Sequence, residues 1–201
     1  MKNAARIFSR MLLSAMLIST MASAYAVEIH GINVKDSEQV GGKALILNGA
    51  GTRYFALFFK VYVAGLYLPR KTTDAEEAIT MAGPKMIHLV MLRNVGSSTL
   101  SKKLIEDLDN NVSPQELSKL SPSINRMNQL FKERAELKTG DVINLIYTPG
   151  QGTTIQINGS QVGAAFTDPD FFNALEKVWL GNKPAETRLK SALLGDSSES
   201  N

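Results

Sequence analysis

Alternating apolar and polar positions predict that the first third of the chain is built mainly from β-strands. Val27 to Val34 alternates loosely, and Lys43 to Leu47 is a second short strand candidate. Between them, Gly41 and Gly42 indicate a turn or a bulge. Thr52 to Leu68 is too long for one average strand and is rich in aromatic and β-branched residues. We therefore predict two strands there, with a bend near residues 58 to 60.

Helix-start signals dominate the middle of the chain. Asp74 is followed by acidic residues, which favour a helix N-terminus, so a short helix is predicted to end near Met81. A strand over Lys85 to Leu92 follows it. Helical spacing of apolar residues then continues over about forty positions. Three further helix starts are predicted, at Ser97 or Ser98, at Ser113-Pro114 and at Ser121-Pro122.

The last third predicts a three-stranded meander and two closing helices. The meander covers Asp141 to Tyr147, Thr153 to Ile157 and Gln161 to Phe166, with the hairpin signal Asn158-Gly159 between its last two strands. The helices are predicted from Asp168 to Leu180 and from Pro184 to Leu194. Because strands and helices are grouped rather than alternating, the fold class is α+β, an antiparallel β-sheet backed by a layer of α-helices.

The first 26 residues have the composition of a secretory signal peptide. Three basic residues precede a short apolar core from Met11 to Met21, and small residues follow it. The core is too short to span a bilayer, although an uncleaved N-terminal anchor is the alternative. Cleavage after Ala24 or Ala26 satisfies the small-residue rule. We predict a signal peptide over 1–26, one domain over 27–195, a disordered tail over 196–201, and a periplasmic location.

Removal of that leader changes the charge balance. It leaves 19 basic and 19 acidic residues, so no basic surface favours nucleic acid as a partner. No later segment is long and apolar enough to cross a membrane. The chain has no cysteine, which excludes disulfides, thiol nucleophiles and cysteine-based metal sites and agrees with a bacterial periplasm.

Other motifs predict neither a cofactor nor a metal. Gly49-Ala50-Gly51 is a lone pair of glycines, because the third glycine of a dinucleotide fingerprint would fall at Tyr54. The two histidines, His30 and His88, both lie in predicted strands and are too isolated for a metal site or a catalytic triad.

Arg53 is the most unusual residue of the chain, because it begins a long apolar run. In a strand it shares one face with Phe55, Leu57 and Phe59, and the other face is apolar too. A guanidinium stays charged at any working pH, so burial requires an anion or dense hydrogen bonding. Three interpretations remain open: a ligand carboxylate, a structural Asp or Glu, or simple exposure after a turn at Gly51.

The same stretch resembles the chalcone isomerase family, in its exported bacterial branch. The resemblance rests on the order Gly-Ala-Gly-x-Arg, an apolar strand and Ala64-Gly65-Leu66-Tyr67-Leu68, and on the closing segment from Ala174 to Gly195. A helix near Ser101-Lys102-Lys103 and the meander follow in the expected order. The resemblance implies an open-faced sandwich with a ligand cleft between the sheet and the helices.

The resemblance implies a site but little catalysis. In plant isomerases the matching arginine stabilises the phenolate of the substrate, and Arg53 takes that position. The polar partners that help to polarise the carbonyl are replaced, and without them electrostatic stabilisation of the reacting centre is largely missing. In this chain, Tyr62 replaces the threonine that the plant isomerases have on a strand. Leu100 and Asp107 replace a tyrosine and an asparagine on a helix, and Val178 replaces a threonine on the penultimate helix.

Fatty-acid-binding members of that family hold an acyl carboxylate with the same arginine, and this implies the function we predict. The chain is expected to be an exported, non-catalytic protein that binds a fatty acid or a similar amphipathic anion through Arg53. Apolar walls are expected from Phe55, Leu57, Leu100, Leu104, Val178 and Trp179. The residues predicted to bind the ligand are Arg53, Tyr62, Phe55, Leu100, Asp107, Val178 and Trp179. The alternatives are an intramolecular lyase or isomerase acting on an enone, with Arg53 and Tyr62 as its catalytic residues, and a non-catalytic interaction domain. The sequence predicts no oligomeric state.

Overall fold

The structure is a computed structural model that describes residues 26–56 and 58–196. The predicted signal peptide up to residue 25 and all of the predicted tail beyond Asp196 lie outside the described residues, as does Leu57.

A seven-stranded antiparallel sheet forms the centre of the fold. The strands of the described chain are β1 Ala26–Ile29, β2 Ile32–Lys35, β3 Ser37–Val40, β4 Lys43–Phe55, β5 Phe59–Leu68, β6 Lys85–Met91, β7 Val95–Gly96, β8 Glu136–Leu137, β9 Val142–Thr148, β10 Gly152–Ile157 and β11 Ser160–Gln161. The strand order of the central sheet is β11-β10-β9-β6-β5-β4-β3. The remaining described strands form two small two-stranded sheets, β1-β2 and β7-β8.

Helices cover one face of this sheet and enclose the main core. Buried side chains of the central strands, such as Leu66, Leu89 and Leu145, pack there against apolar residues of the helices, such as Phe172 and Trp179. This arrangement confirms the α+β prediction of an antiparallel sheet backed by helices. The helices are α1 Ala75–Thr80, α2 Ser97–Asp109, α3 Pro114–Lys132, α4 Asp170–Leu180 and α5 Thr187–Leu193.

The opposite face of the sheet is covered by a hairpin that the sequence analysis did not predict. Val27 to Val34 was predicted as one strand, and this prediction is wrong, because β1 and β2 are separated by a turn at His30 and Gly31. Both turn residues have left-handed backbone angles, with φ 52° and 77°, as in a tight hairpin turn. A second, smaller core forms beneath this hairpin. His30 therefore lies in a turn, not in a strand.

The Gly-Ala-Gly segment is not a turn but the middle of a 13-residue strand, β4. A Cβ atom on Gly49 would lie 2.1 Å from the carbonyl oxygen of Ala192 and 2.7 Å from that of Leu193. The glycine is therefore needed because the end of α5 crosses the strand at backbone contact. Asn48 fixes this crossing, since its Nδ2 donates to the Leu193 carbonyl at 2.7 Å.

Two helical predictions merge into one helix. A separate helix was predicted to start at Ser121-Pro122, and this is wrong, because α3 runs without interruption through Pro122. Pro122 lacks the N–H that would bond the Ser118 carbonyl. It lies on the exposed side of the helix, where water can bond that carbonyl. The N-terminus was predicted correctly, since the Ser113 hydroxyl accepts a hydrogen bond from the Glu116 N–H at 3.2 Å.

The meander is present, but its last strand is shorter than predicted. The hairpin at Asn158-Gly159 is confirmed, with φ 52° and 78° at the two turn residues. Gln161 to Phe166 was expected to pair throughout. Instead, β11 has two residues, and Phe166 makes an isolated bridge to Thr153.

Candidate functional site

Arg53 lies near the end of β4, opposite Tyr62 in the strand register. Its side chain is 14% exposed, so exposure after a turn does not describe it. Its Nη1 lies 3.3 Å from Glu186 Oε2 and also donates to the Tyr54 carbonyl. Within the described part of the chain, Nε and Nη2 donate to no protein acceptor. One edge of the planar guanidinium therefore remains available for a second anion.

Glu186 is held in place by the fold and not by Arg53 alone. It immediately precedes α5, and its Oε2 accepts a 2.7 Å hydrogen bond from the Tyr54 N–H. The register of β4 and β5 shifts between Arg53 and Tyr54 at this point. The structure therefore supports the structural-acid interpretation of Arg53 in part, while leaving room for a ligand.

A small cavity of about 40 Å³ lies between the sheet and the helices, beside Arg53. It is large enough for a few water molecules but far smaller than the usual ligand pocket. Six of the seven predicted binding residues line it together: Arg53, Tyr62, Leu100, Asp107, Val178 and Trp179. Leu104 lines it as well. Their role in binding stays a prediction.

Tyr62 and Trp179 form a buried polar contact in the wall of this cavity. The indole Nε1 of Trp179 donates to the Tyr62 hydroxyl at 3.0 Å. Burial raises the pKa of Tyr62 to about 12, and the bond from Trp179 and the charge of Arg53 offset only part of that effect. The phenol is therefore neutral at physiological pH, and its proton remains available for donation.

Asp107 also lines the cavity, but its charge is already paired. Its Oδ1 lies 2.8 Å from Nζ of Lys103, one turn earlier on α2. The carboxylate is nearly buried, while the Lys103 ammonium is about half exposed. This pair allows an acid to line the same cavity as Arg53 without placing an uncompensated negative charge there.

A larger groove of about 420 Å³ lies on the other side of Arg53, within the usual range of ligand pockets. Arg53, Leu100 and Lys103 line both hollows, so the two are adjacent. Among the residues that the structure describes, three basic side chains and no acidic one line the groove, beside several apolar ones. The lining consists of Arg53, Phe55, Val61, Arg93, Asn94, Val95, Gly96, Thr99, Leu100 and Lys103.

The structure corrects the position of Phe55. It was predicted as a wall of the cleft between the sheet and the helices, but it does not line the small cavity. It lies at the last position of β4, is 62% exposed, and lines the outer groove. Strand alternation was extended too far, because β4 ends at Phe55. Leu57, the other expected wall residue, lies outside the described residues.

Sequence reasoning missed three charged residues around Arg53. Arg93 lies two positions after the end of β6, and a basic residue close to the end of a buried strand was a usable signal. Lys103 was noted only as an alignment marker. Glu186 lies 133 positions from Arg53, and nothing local in the sequence indicates that the two meet.

The basic donors around Arg53 suit an organic anion. Within residues 26–56 and 58–196, no group of three His, Asp or Glu side chains could hold a metal ion. Over the same residues, no helix combines the length and the apolar character needed to cross a bilayer. The site provides basic groups beside an apolar groove, so it can hold an anionic head and a hydrocarbon tail.

Comparison with known proteins agrees with the fold described above. The family described as chalcone isomerase-like matches residues 26–195. A crystal structure of a fatty-acid binding protein from Arabidopsis thaliana is similar, with a TM-score of 0.66 and 15% sequence identity. The similarity covers 88% of this chain and 99% of that one. No curated protein matches the sequence.

Proposed function

This chain belongs to the chalcone isomerase-like family, and we propose that it binds a fatty acid or a similar amphipathic anion without catalysing a reaction on it. The ligand carboxylate bonds the free edge of the Arg53 guanidinium. The hydrocarbon chain lies in the outer groove.

One observation carries this proposal: Arg53 keeps Nε and Nη2 free of protein acceptors among the described residues, where an apolar groove begins. A carboxylate fits such an edge with two parallel hydrogen bonds. Arg93 and Lys103 add positive charge to the same groove, which favours an anion over a neutral lipid.

The groove, and not the small cavity, is the place for the hydrocarbon chain. At about 40 Å³ the small cavity holds no acyl chain, whereas the groove of about 420 Å³ falls in the range that encloses small ligands. Leu100 lies at the boundary of both. The solved fatty-acid binding protein with the same fold supports a lipid as the ligand.

The state of Tyr62 supports a non-catalytic role. A general acid or base works best when its pKa lies near the working pH, and burial moves the pKa of Tyr62 to about 12. The nearby Asp107 is paired with Lys103. At two of the positions that match polar groups in the plant isomerases, the cavity beside Arg53 is lined by the apolar Leu100 and Val178.

An enone isomerase is the second candidate, because Arg53 and the Tyr62 hydroxyl line one cavity. With a volume of about 40 Å³, that cavity is too small for a two-ring substrate. Incubation with chalcones, followed by loss of enone absorbance, separates the two functions. Turnover that disappears in both Arg53→Ala and Tyr62→Phe would replace the binding proposal.

Lipid extraction from the purified protein tests the proposed function. Protein isolated from the cells that produce it should carry fatty acids detectable by mass spectrometry, and added fatty acid should raise its melting temperature. Arg53→Ala should lose both effects. Purified protein that carries no fatty acid, and whose melting temperature does not change when fatty acid is added, would exclude ligand binding and favour an interaction domain.

Export to the periplasm is part of the proposal and has its own test. The basic, apolar and small-residue segments before Val27 support it. Cell fractionation and the intact mass of the protein should show a periplasmic chain that begins at Tyr25 or Val27. A cytoplasmic chain that retains Met1 would contradict export without affecting the binding proposal.

A further inference from the structure

Three exposed phenylalanines cluster at the tip of the β4-β5 hairpin. Phe55, Phe58 and Phe59 are 62%, 81% and 54% exposed, and they are the exposed large hydrophobic side chains of the described chain. Phe55 and Phe59 face each other in the strand register. Exposed apolar clusters of this kind mark contacts with other molecules. We refer to these three residues as the aromatic tip.

Basic side chains surround the aromatic tip. The Arg93 guanidinium lies 5.5 Å from the centre of the Phe59 ring, and Lys60 follows Phe59 in the chain. Lys60 Nζ lies 3.0 Å from Nδ1 of His30. The nearby carboxylate of Glu186 is already bonded to Arg53 and Tyr54. Because the chain after Ala26 has equal numbers of basic and acidic residues, this concentration of positive charge is local.

We propose that the aromatic tip docks on a lipid bilayer whose surface carries anionic headgroups. The phenylalanine rings enter the boundary between headgroups and acyl chains, as the apolar side of a peripheral protein does. Lys60 and Arg93 bind phosphate groups at the surface, where each basic residue gains from the negative potential.

The size of the tip favours a bilayer over a protein partner. At about 200 Å² for each phenylalanine, three rings exposed by half to four-fifths offer roughly 400 Å². A stable protein interface needs about 800 Å² on each partner. A bilayer sets no such minimum, because each inserted ring contributes independently and the basic residues contribute with it.

The position of Phe55 connects this docking to the groove. Phe55 belongs to the aromatic tip and also lines the groove beside Arg53. The groove therefore begins where the protein would contact the bilayer. The docking proposal stands on the exposed rings and the basic residues, so it does not depend on the identity of the groove ligand.

Vesicle sedimentation tests the proposal. The protein is purified in the form that the producing cells release. It is then mixed either with vesicles of phosphatidylglycerol and phosphatidylethanolamine or with vesicles of phosphatidylcholine alone. We expect much stronger binding to the anionic vesicles, and weaker binding at high salt. Phe58→Ser should lower the affinity roughly tenfold, since burial of one phenylalanine corresponds to about that factor. Lys60→Ala should weaken binding, and Lys119→Ala, on the exposed side of α3, should not.

Separate readouts distinguish docking from folding and from ligand binding. Phe58 lines neither hollow, so Phe58→Ser should keep both the melting temperature and the fatty-acid affinity. Equal sedimentation of Phe58→Ser and the unchanged protein, or no preference for anionic vesicles, would overturn the proposal. Analytical ultracentrifugation tests the remaining alternative, in which the aromatic tip binds a second copy of the chain. A dimer that Phe58→Ser abolishes would assign the tip to contact between two copies of the chain.

Discussion

The Arg53 guanidinium and the Glu186 carboxylate lie 3.3 Å apart, and Arg53 contributes only Nη1 to this contact. The two side chains are 14% and 16% exposed, so water screens the pair only in part. Glu186 is also bonded to the Tyr54 N–H, which keeps it beside Arg53. A bound carboxylate would therefore share Arg53 with an acid of the protein itself.

Replacing Glu186 by glutamine should strengthen ligand binding. The amide oxygen can still accept the hydrogen bond from Tyr54, while the negative charge that repels a ligand carboxylate is lost. Partly exposed ion pairs contribute up to about 1 kcal/mol, so we expect fatty-acid affinity to rise by about two- to fivefold. Fluorescence competition with a labelled fatty acid measures the change.

Glu76→Gln is the matched control, because Glu76 is exposed on α1 and lines neither hollow. It removes the same net charge and should leave the affinity unchanged. If Glu186→Gln weakened binding, Glu186 would be part of the ligand contact and not a competitor.

Gly49→Ala should destabilise the protein. The new methyl group would lie 2.1 Å from the Ala192 carbonyl oxygen, and a backbone atom cannot rotate away as a side chain can. Overpacking of this kind costs about 1–3 kcal/mol in the free energy of unfolding. Urea denaturation measures the loss. An unfolding free energy within about 0.3 kcal/mol of the original would show that α5 moves freely on β4.

The buried pair of Lys85 and Glu176 should make stability depend on pH. Both side chains are almost inaccessible, and Oε1 of Glu176 has no partner among the described residues. Burial raises the pKa of the Glu176 carboxyl from an ordinary 4.5 to about 8, against the opposite effect of Lys85. Between these values the folded protein holds a proton that the unfolded chain releases.

The unfolding free energy should therefore fall as pH rises through that window. The contribution is complete below about pH 4.5 and lost above about pH 8, with a slope of at most about 1.4 kcal/mol for each pH unit. Glu176→Gln should flatten this slope, while Glu76→Gln controls for the lost charge. A pH dependence that is the same in Glu176→Gln and in the unchanged protein would show that Glu176 is ionised in the folded protein over this range.

Local sequence signals predicted most of the fold because they reflect local physics. The Asn158-Gly159 hairpin follows from the backbone angles that these residues adopt, and the start of α3 follows from the Ser113 cap. The β1-β2 hairpin was missed because His30-Gly31 lies inside an apparently continuous alternation of apolar residues. The Gly-Ala-Gly segment was misread as a turn because the need for Gly49 comes from α5, over 140 positions away.

The sequence predicted those features of the candidate site that depend on local residues, and it missed those that depend on distant contacts. Arg53 was identifiable because a permanent charge beside an apolar run requires an explanation at that position. Its contact with Glu186 and its place between two hollows depend on how strands and helices distant in sequence meet. Alternation along β4 also placed Phe55 in the core, because the sequence did not show that the strand ends there.

Calorimetric titration with a long-chain fatty acid and with its methyl ester tests the central claim most directly. Hydrogen bonds to a charged group contribute about 1.5–3 kcal/mol, so the unchanged protein should bind the acid roughly ten- to a hundredfold more tightly than the ester. Arg53→Met should bind the acid weakly and lose most of its preference over the ester, with its fold verified by its melting temperature. Equal affinity of the unchanged protein for acid and ester, or undiminished binding of the acid by Arg53→Met, would contradict the account.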